Sequence, residues 1–436
     1  MTAYNLVSFA GIFVLAGVAW LFSSDRKTVN VRVLFWGIGL QLLVAFFIFV
    51  VPAGTKVFLW VNDAVTAVLA TATAGTKFVF GRLALAPGTT NAAGETSLGY
   101  FLAFQGLPTI IFFAALLGAL YYLRIMPFFV RLFARIFSRS MRISGAEALS
   151  VSANIFVGVE SALVVRPHLK DMTRSELGTI ITAGMGTIAS TVLAMYVLML
   201  QKAIPTIAGH LVSASFIAAP ASIVMAKLVM PETEKPLTLG VDVKPHYERE
   251  DNLMMAIING AGEGLKLLGG IVALLIAFIG LLALVNLGLG WAGGLVNGLL
   301  GWHVEWSVEA LLGYLFYPLT LVMGVAPSDA LPVAKILGDR TILTEVFSYG
   351  RLSELMAAGA LKDPRSAIIA SYALCGFAHV ASLAIFIGGT GALVPTRVRD
   401  ISRIGFRALL AATLACLMTG AVAGTFYTGS SVLFGR

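Results

Sequence analysis

Two glutamates lie inside long apolar stretches of this chain. Glu160 occurs in the run SVSANIFVGVESALVV, and Glu345 occurs in the run GDRTILTEVFSYGR. An ionisable side chain in the hydrocarbon of a membrane costs roughly 2.5–3.5 kcal/mol, so such a residue usually faces a cavity, a partner or a transported solute. Two of them in similar surroundings predict a solute pathway that is built from an internal repeat.

The composition supports a membrane setting for both glutamates. Of the 436 residues, 58% are hydrophobic and only 12% are charged, whereas soluble domains carry about 25% charged residues. We therefore expect a polytopic membrane protein. Residues 6–22 have no basic segment before them and no small-residue cleavage site after them, which predicts a first spanning helix and no signal peptide.

Spanning helices need about 20 consecutive apolar residues. Eight stretches meet this requirement, namely 4–23, 31–51, 100–123, 177–201, 208–230, 266–290, 366–388 and 404–427. Five further apolar segments are interrupted by Gly, Pro or charge, namely 55–83, 126–140, 144–170, 307–325 and 328–360. The second of these carries Arg131, Arg135 and Arg139 on one helix face, which predicts an amphipathic helix lying flat at the cytoplasmic interface.

The distribution of Lys and Arg predicts the orientation of the chain. Basic residues cluster in four segments, namely 23–32, 124–142, 166–174 and 397–407. Placing all four inside puts the N-terminus outside. The segment 144–170 then starts and ends inside, and 328–360 starts and ends outside, which predicts two re-entrant hairpins from opposite faces. Lys362 and Arg365 fall outside in this arrangement, against the rule.

The segments that follow the two hairpins resemble each other. Aligning Ile188-Ala189-Ser190 with Val380-Ala381-Ser382 pairs Thr187 with His379. Each half thus contains a hairpin with a Glu, a helix with small and hydroxyl residues at its middle, and a further helix. Inverted repeats with broken helices are typical of secondary transporters. The alternative is that the small residues only allow close helix packing, which leaves the two glutamates unexplained.

Hairpin tips and unwound helix centres are the places where backbone carbonyls can meet a solute or an ion inside a membrane. Carbonyls with a hydroxyl or amide side chain suit a hard cation. Asn154 and Thr187, with the carbonyls of Val157 and Ile188, form a candidate sodium cage. The equally weighted alternative is that Asn154 bonds the backbone of a neighbouring helix.

The two glutamates are the candidate solute ligands. Ionised Glu160 and Glu345 accept hydrogen bonds only, so they suit a solute with hydroxyl or amine donors, and we expect them to meet around it halfway through the bilayer. A deep Glu could instead titrate and carry protons. A third alternative is an ion pair with an arginine that holds the hairpin closed. Arg166 is the candidate partner of Glu160, and Arg340 or Arg351 is the candidate partner of Glu345.

Two residues near the second unwound helix are further candidates. Phe377 could stack on a flat ring, although an isolated Phe is more often part of a core. His379 is polar and titratable at membrane depth.

Several other classes of function find no support in the sequence. There is no P-loop for ATP, no nucleophile–base pair for an enzyme and no charged ring along successive turns for a channel. Cys375 and Cys416 fall in apolar segments, so we expect neither a disulfide nor a metal site. The net charge of +8 comes from membrane loops, so nucleic acid is not an expected partner.

Nearly the whole chain resembles the concentrative nucleoside transporter family. The resemblance is carried by LFSSDRKTVNVR, LPTIIFFAALLGALYYL, AEALSVSANIFVG, SALVVRPHL, NGAGEGLKLLGGIVALLIAFI, PLTLVMGV and CGFAHVASLAIFIGGTGALVP. It implies an all-α membrane protein with eight spanning helices and two opposed re-entrant hairpins in an inverted repeat. It also implies a bacterial inner-membrane homotrimer, in which mobile transport domains carry nucleosides by an elevator movement that a cation gradient drives.

The resemblance assigns the domains and the site residues. Residues 1–95 would form scaffold helices and an interfacial helix, 96–230 the first repeat and 253–436 the second. The implied substrate contacts are Gly158, Val159, Glu160, Val192, Thr344, Glu345, Phe377, His379 and Ser382. The implied sodium ligands are Asn154, Val157, Thr187 and Ile188, with Thr187 where the family usually has Ser. No organic cofactor is expected.

Three departures from the family pattern point to an altered solute. The first tip reads Gly158-Val159-Glu160 where the family usually has Gly-Gln-Thr-Glu, and the second reads Thr344-Glu345 where it has Asn-Glu. His379 replaces the Asn that contacts ribose. A lost hydrogen-bond partner in a dry site costs about 1–3 kcal/mol. The alternatives are therefore sodium-driven uptake of a nucleoside, or proton-driven uptake through His379 of a modified or non-nucleoside solute.

Overall fold

The computed structural model describes residues 3–91, 93–247, 250–429 and 433, and the regular elements of this part of the chain are helices, with two isolated β-bridges in its loops. The α-helices are α1 Ala3–Leu21, α2 Val31–Phe49, α3 Pro52–Phe80, α4 Leu102–Gln105, α5 Thr109–Tyr122, α6 Ile125–Met141, α7 Gly145–Asn154, α8 Arg174–Gly186, α9 Ser190–Leu200, α10 Ile207–Val229, α11 Leu253–Leu300, α12 Val308–Val322, α13 Pro327–Ile342, α14 Glu345–Ala357, α15 Pro364–Ala373, α16 Val380–Leu393 and α17 Val398–Phe426. Three 3₁₀ segments, Gly81–Ala84, Val159–Asp171 and Pro395–Arg397, complete the fold.

Eight segments of the described chain are long and apolar enough to cross a membrane, which confirms the prediction of an all-α polytopic protein. Two of the segment assignments are wrong, one among the predicted spans and one among the segments predicted to be interrupted. The segment 55–83, expected to be interrupted, lies within the continuous helix α3. The segment 366–388, expected to be one span, is split between α15 and α16.

The continuity of α3 follows from its packing against α2. Pro52 occupies the first turn, where its missing N–H costs nothing, and the helix then runs for 29 residues. A Cβ at Gly54 would lie 1.8 Å from the carbonyl oxygen of Phe47. The glycine therefore permits close contact between the two helices and does not end α3.

Helix α11 is the longest element and the least covered. It has 48 residues, which corresponds to about 72 Å at 1.5 Å per residue and exceeds the predicted segment 266–290 at both ends. Only 6% of its most apolar window is buried, whereas 89% is buried in the corresponding windows of α10 and α17. Helices α10 and α17 therefore form the core, and α11 presents its apolar side chains outward.

The core brings together two halves with the same order of elements. Each half contains a helical hairpin, a broken helix and a long buried helix: α7 with Val159–Asp171, then α8–α9 and α10, and α13–α14, then α15–α16 and α17. Helix α17 packs against α8, α10 and α15, so it joins the two halves.

Both hairpins are closed by a serine that bonds across the two arms. The hydroxyl of Ser150 in the first hairpin lies 3.4 Å from the carbonyl oxygen of Ser161. The hydroxyl of Ser348 in the second donates to the carbonyl of Ile336 at 3.1 Å. The second arm of the first hairpin is a 3₁₀ helix with Pro167 inside it, because proline removes a backbone donor and disfavours α-helix.

Helix α6 has the predicted amphipathic pattern. Arg131, Arg135 and Arg139 are exposed, while Val130 and Ala134 are among the residues that form the buried face. The structure thus places the three arginines on the solvent or headgroup side of the helix.

Arg365, which conflicts with the positive-inside rule, is 2% exposed. Its guanidinium donates to the carbonyls of Gly324 and Gly424, to the carbonyl of Tyr4 and to the hydroxyl of Ser8. It therefore ties the ends of α12 and α17 to α1. Because the charge of Arg365 is bound by buried acceptors, it reflects the packing of the helices and is not evidence for the orientation of the chain in the membrane.

A buried ion pair joins the first hairpin to the core. The ammonium of Lys227 on α10 lies 2.7 Å from a carboxylate oxygen of Glu147 on α7, and both side chains are nearly inaccessible. Lys227 also donates to Ser175 at the start of α8. Three helices thus meet at one buried cation. Removing one partner of such a pair leaves the other charge buried without a partner.

Replacing the buried carboxylate, Glu147→Gln, is expected to lower the free energy of unfolding by about 3–5 kcal/mol, because Lys227 keeps only the more distant Glu232. The matched control is Asp242→Asn, which breaks the exposed pair with Arg135 and should cost less than about 1 kcal/mol. Unfolding of the detergent-solubilised protein measures both. Equal effects of the two substitutions would contradict the structural role of the buried pair.

Candidate functional site

The break of the second broken helix contacts the first broken helix beside its own break. The first break comprises residues 187–189 and the second comprises residues 374–379. A Cβ on Gly376 would lie 2.9 Å from the carbonyl oxygen of Met185 and 2.6 Å from the sulfur of Cys416. Only glycine allows this approach, which brings the second break into direct contact with the C-terminal end of α8, next to the first break.

The tip of the first hairpin, residues 155–158, packs against the first break. The backbone N–H of Ser190 donates to the carbonyl of Phe156 at 3.3 Å. A Cβ on Gly158 would lie 3.3 Å from the Cβ of Ala189. The tip and the break therefore form one continuous patch of backbone.

The predicted sodium ligands surround this patch. Asn154 ends α7 and is fully buried, and its Nδ2 donates to the carbonyl of Ser150. Its Oδ1 accepts no hydrogen bond from the described residues. Thr187, buried and extended, donates its hydroxyl to the carbonyl of Ala183. Val157 and Ile188 lie beside them on the tip and in the break. A buried amide oxygen without a donor has the chemistry to bind a cation.

Glu160 faces a cavity of about 570 Å³ between the first hairpin and the helices α5, α6 and α11. Its side chain is exposed, and its Oε2 accepts the backbone N–H of Gly158 at 3.2 Å. Val157, Gly158 and Thr191 line the same cavity, as do Arg124, Arg131 and Arg166 from two of the basic segments.

Two phenols complete the polar lining of this cavity. The rings of Tyr121 and Tyr247 lie 5.5 Å apart, and neither hydroxyl has a hydrogen-bond partner among the described residues. Burial raises the pKa of the Tyr247 phenol to about 12, so the group remains a donor. The two phenols thus add hydrogen-bond donors to a cavity lined by the carboxylate of Glu160, two further carboxylates and three arginines.

Glu345 occupies a different environment at the tip of the second hairpin. It is 3% exposed, and its Oε1 accepts the hydroxyl of Tyr196 on α9 at 2.7 Å. Its Oε2 lies 3.0 Å from Nε2 of His379 but receives no aligned hydrogen bond from the described residues. Glu345 begins α14 and His379 caps α16, so the carboxylate lies near the positive ends of two helices.

The cap geometry assigns the proton on His379. Its Nδ1 accepts the backbone N–H of Ser382 at 3.1 Å, so Nδ1 carries no proton. The neutral ring then carries its proton on Nε2, the nitrogen that faces Glu345. The hydroxyl of Ser382 is occupied within the break, where it donates to the carbonyls of Phe377 and His379.

In this structure the two glutamates do not line the same cavity, and their meeting around one solute stays a prediction. Glu160 lines the cavity, whereas Glu345, Phe377, His379 and Ser382 are not among its described lining residues. The alternative of an ion pair with arginine does not apply to Glu345, because no described arginine lies within ion-pair distance of its carboxylate. Arg351 instead pairs with Glu354.

The remaining candidate substrate contacts differ in burial and in the groups they bind. Val192 is fully buried, and its neighbour Thr191 lines the cavity instead. Thr344 uses its hydroxyl to cap α14, and Phe377 is half-buried. The side chain of Val159 lies outside the described residues.

Sequence reasoning missed Tyr196, Tyr121 and Tyr247. Tyr196 stacks on Tyr349 at 4.5 Å between ring centroids, and it contacts Glu345 from 149 positions away in the chain. A tyrosine in an apolar run usually indicates packing. The role of these tyrosines could have been suspected because a buried phenol needs a hydrogen-bond partner.

Three family models match this chain. Residues 10–83 match the N-terminus of the Na+ dependent nucleoside transporters, and residues 210–424 match their C-terminus. Residues 103–203 match a model described as nucleoside recognition, Gate.

Among curated proteins, solute carrier family 28 member 3 of Mus musculus is 38% identical over 434 residues, which cover 96% of this chain and 58% of that protein. The chain thus spans less than two thirds of the mammalian protein. The uncharacterized transporter YutK of Bacillus subtilis is 38% identical over 418 residues, which cover 95% of this chain and 98% of that one.

The fold has a close counterpart among solved structures. CNTnw in an inward-facing substrate-bound state superposes with a TM-score of 0.85 at 33% identity, over 97% of this chain and 98% of that one. Sequence and fold agree over nearly the full length. The family contains transporters and not enzymes, and this chain belongs to it: it is a member of the concentrative nucleoside transporters.

Proposed function

We propose that this chain is a symporter that couples inward sodium movement to the uptake of nucleosides or nucleoside-like solutes. The observation that carries the proposal is the contact between the first tip and the first break, where the unpartnered Oδ1 of Asn154 is buried. Family models that describe Na+ dependent nucleoside transporters support it.

The assembly follows the family in this proposal. Residues 1–95 form scaffold helices, residues 96–230 and 253–436 are the inverted repeats, and two re-entrant hairpins enter from opposite faces. Three copies form a homotrimer in a bacterial inner membrane, and the hairpins with their broken helices move as an elevator. The full-length similarity to a bacterial relative supports this location.

The solute bridges the two glutamates along α9. Thr191 lies at the cavity of Glu160, and Tyr196 bonds Glu345. Five residues of α-helix separate them by about 7.5 Å. That spacing suits a solute with a polar base at one end and a hydroxylated sugar at the other. Glu160 and Thr191, the neighbour of the buried Val192, then lie at the base. Glu345, Thr344, Phe377, His379 and Ser382 lie at the sugar.

Sodium completes the first tip. Asn154 and Thr187, with the carbonyls of Val157 and Ile188, surround the ion and fix the tip of the first hairpin next to Gly158, Val159 and Glu160. Ordering the tip raises the affinity for the solute, and the solute must raise the affinity for sodium by the same factor.

Uptake of radiolabelled nucleoside into proteoliposomes is expected to require an inward sodium gradient and to fall at least tenfold in Glu345→Gln, because a neutral amide loses the charged acceptor for a solute hydroxyl. The control is Glu354→Gln on the same helix, where the carboxylate is exposed and uptake should be unchanged. Undiminished wild-type uptake with choline in place of sodium would reject sodium coupling.

The sodium ligand is tested by Asn154→Ala. Thermal unfolding with and without sodium should show a clear stabilisation of the wild-type protein by the ion and a strongly reduced one in the variant. Ser152→Ala is the control, because that hydroxyl bonds only its own helix at Ala148. A sodium effect that survives in Asn154→Ala would place the ion elsewhere.

Proton coupling through His379 is tested by His379→Asn. Asparagine can also cap α16, so the variant should keep sodium-driven uptake with an unchanged dependence on pH. The reason is that Nδ1 of the wild-type ring is occupied by Ser382, and protonation would break the cap. Loss of a pH-driven component in the variant would favour the proton-coupled alternative.

A further inference from the structure

Helix α9 contacts the tips of both hairpins. The backbone N–H of Ser190, its first residue, donates to the carbonyl of Phe156 in the first tip at 3.3 Å. The hydroxyl of Tyr196, on the same helix, donates to Oε1 of Glu345 at 2.7 Å, and Glu345 is the first residue of α14 at the second tip. One helix of the first half is therefore hydrogen-bonded to the tips of both halves.

The segment of α9 between these two bonds is rigid. Residues 190–200 form an uninterrupted α-helix without Gly or Pro, and the step from Ser190 to Tyr196 spans about 9 Å. The far end of α9 is bound to the second hairpin as well, because the hydroxyl of Ser353 on α14 donates to the carbonyl of Met199 at 2.9 Å. The ring of Tyr196 also stacks on Tyr349 of α14. A shift at the start of α9 is therefore passed on to the second hairpin.

The phenol of Tyr196 fixes the orientation of the Glu345 carboxylate. Because the phenol occupies Oε1, Oε2 remains as the acceptor without an aligned hydrogen bond from the described residues. Glu345 is nearly closed to water, so the loss of the phenol would leave a buried oxygen unsatisfied. Tyr349 is buried as deeply, but its hydroxyl donates to the carbonyl of Ser371. Of these two stacked phenols, Tyr196 is therefore the one that holds the carboxylate.

We propose that Tyr196 is a positioning residue, which transmits sodium binding at the first tip to the solute ligand Glu345 at the second. This inference rests on the sodium site of the proposed function. Thr187 and Ile188, two of the proposed sodium ligands, lie in the break that leads into α9, so a bound ion fixes the start of that helix. The helix then holds the phenol, and the phenol holds the Glu345 carboxylate in place for a solute hydroxyl.

Nucleoside binding to the purified protein, measured with and without sodium, tests this role in Tyr196→Phe, which keeps the ring and loses only the donor to Glu345. Sodium should raise the nucleoside affinity of the wild-type protein by a factor of at least about five, and that of Tyr196→Phe by less than about twofold. The sodium affinity of the variant, measured without nucleoside, should be unchanged. Tyr349→Phe is the matched control, because it loses a buried hydroxyl of the same ring pair and should keep the wild-type factor.

Three results would overturn the inference and leave the proposed function intact. They are a wild-type factor in Tyr196→Phe, an equal loss of the factor in Tyr349→Phe, and a sodium affinity that falls together with the factor in Tyr196→Phe, because a merely structural role predicts that joint loss. Nucleoside binding to the wild-type protein that is independent of sodium would instead overturn the proposed sodium coupling and the inference with it.

Hydrogen–deuterium exchange of the wild-type protein covers the case in which Tyr196→Phe does not fold. Sodium added without nucleoside should slow backbone exchange in peptides that contain residues 155–158 of the first tip and residues 343–345 of the second, relative to potassium at the same concentration, because the rigid helix passes the order of one tip to the other. Slowing confined to the first tip would overturn the inference, and slowing at neither tip would overturn the proposed sodium site as well.

Discussion

The contact between two interrupted helices in the apolar core is the constraint on which the rest of this structure depends. Each interruption exposes backbone groups that cannot be left unpaired in a dry interior. The chain satisfies them locally: His379 caps α16, Thr187 bonds Ala183, and Arg340 binds the carbonyl of Ala373. Gly376 lets the second interruption touch the end of α8, where the first interruption begins. Polar chemistry is thereby concentrated at one place, where the hairpin tips can reach it.

The two halves share an order of elements but differ in chemistry near the hairpin tips. The first half carries an exposed Glu160 and an Asn154 oxygen without a donor. The second carries a buried Glu345 between Tyr196 and His379, and a buried Arg340. Under the proposed function, this asymmetry assigns the sodium ion to the first half. The repeat thus gives both halves the same arrangement of helices, and different side chains give the two halves different roles.

Much of this arrangement can be predicted from sequence because it depends on residues that are costly in a membrane. The positions of Glu160, Glu345 and Asn154 at hairpin tips follow from that cost, and so does the unwinding near His379. The rest depends on contacts between distant segments. The sequence alone predicts that Tyr196 is a core residue, and only the fold places Glu345 beside it. The sequence also predicts that α3 is interrupted, because it does not show that Phe47 packs on Gly54. Arg340 is close to Glu345 in sequence, yet the tip turns their side chains to different partners.

Under the proposed function, ion and solute bind a single assembled unit of hairpin tip and helix break. Calorimetric titration of the purified wild-type protein tests this most directly, with nucleoside binding measured across sodium concentrations and sodium binding measured with and without nucleoside. Each ligand is expected to raise the affinity for the other by the same factor of at least about five. Independent affinities, or nucleoside binding that ignores sodium, would contradict it.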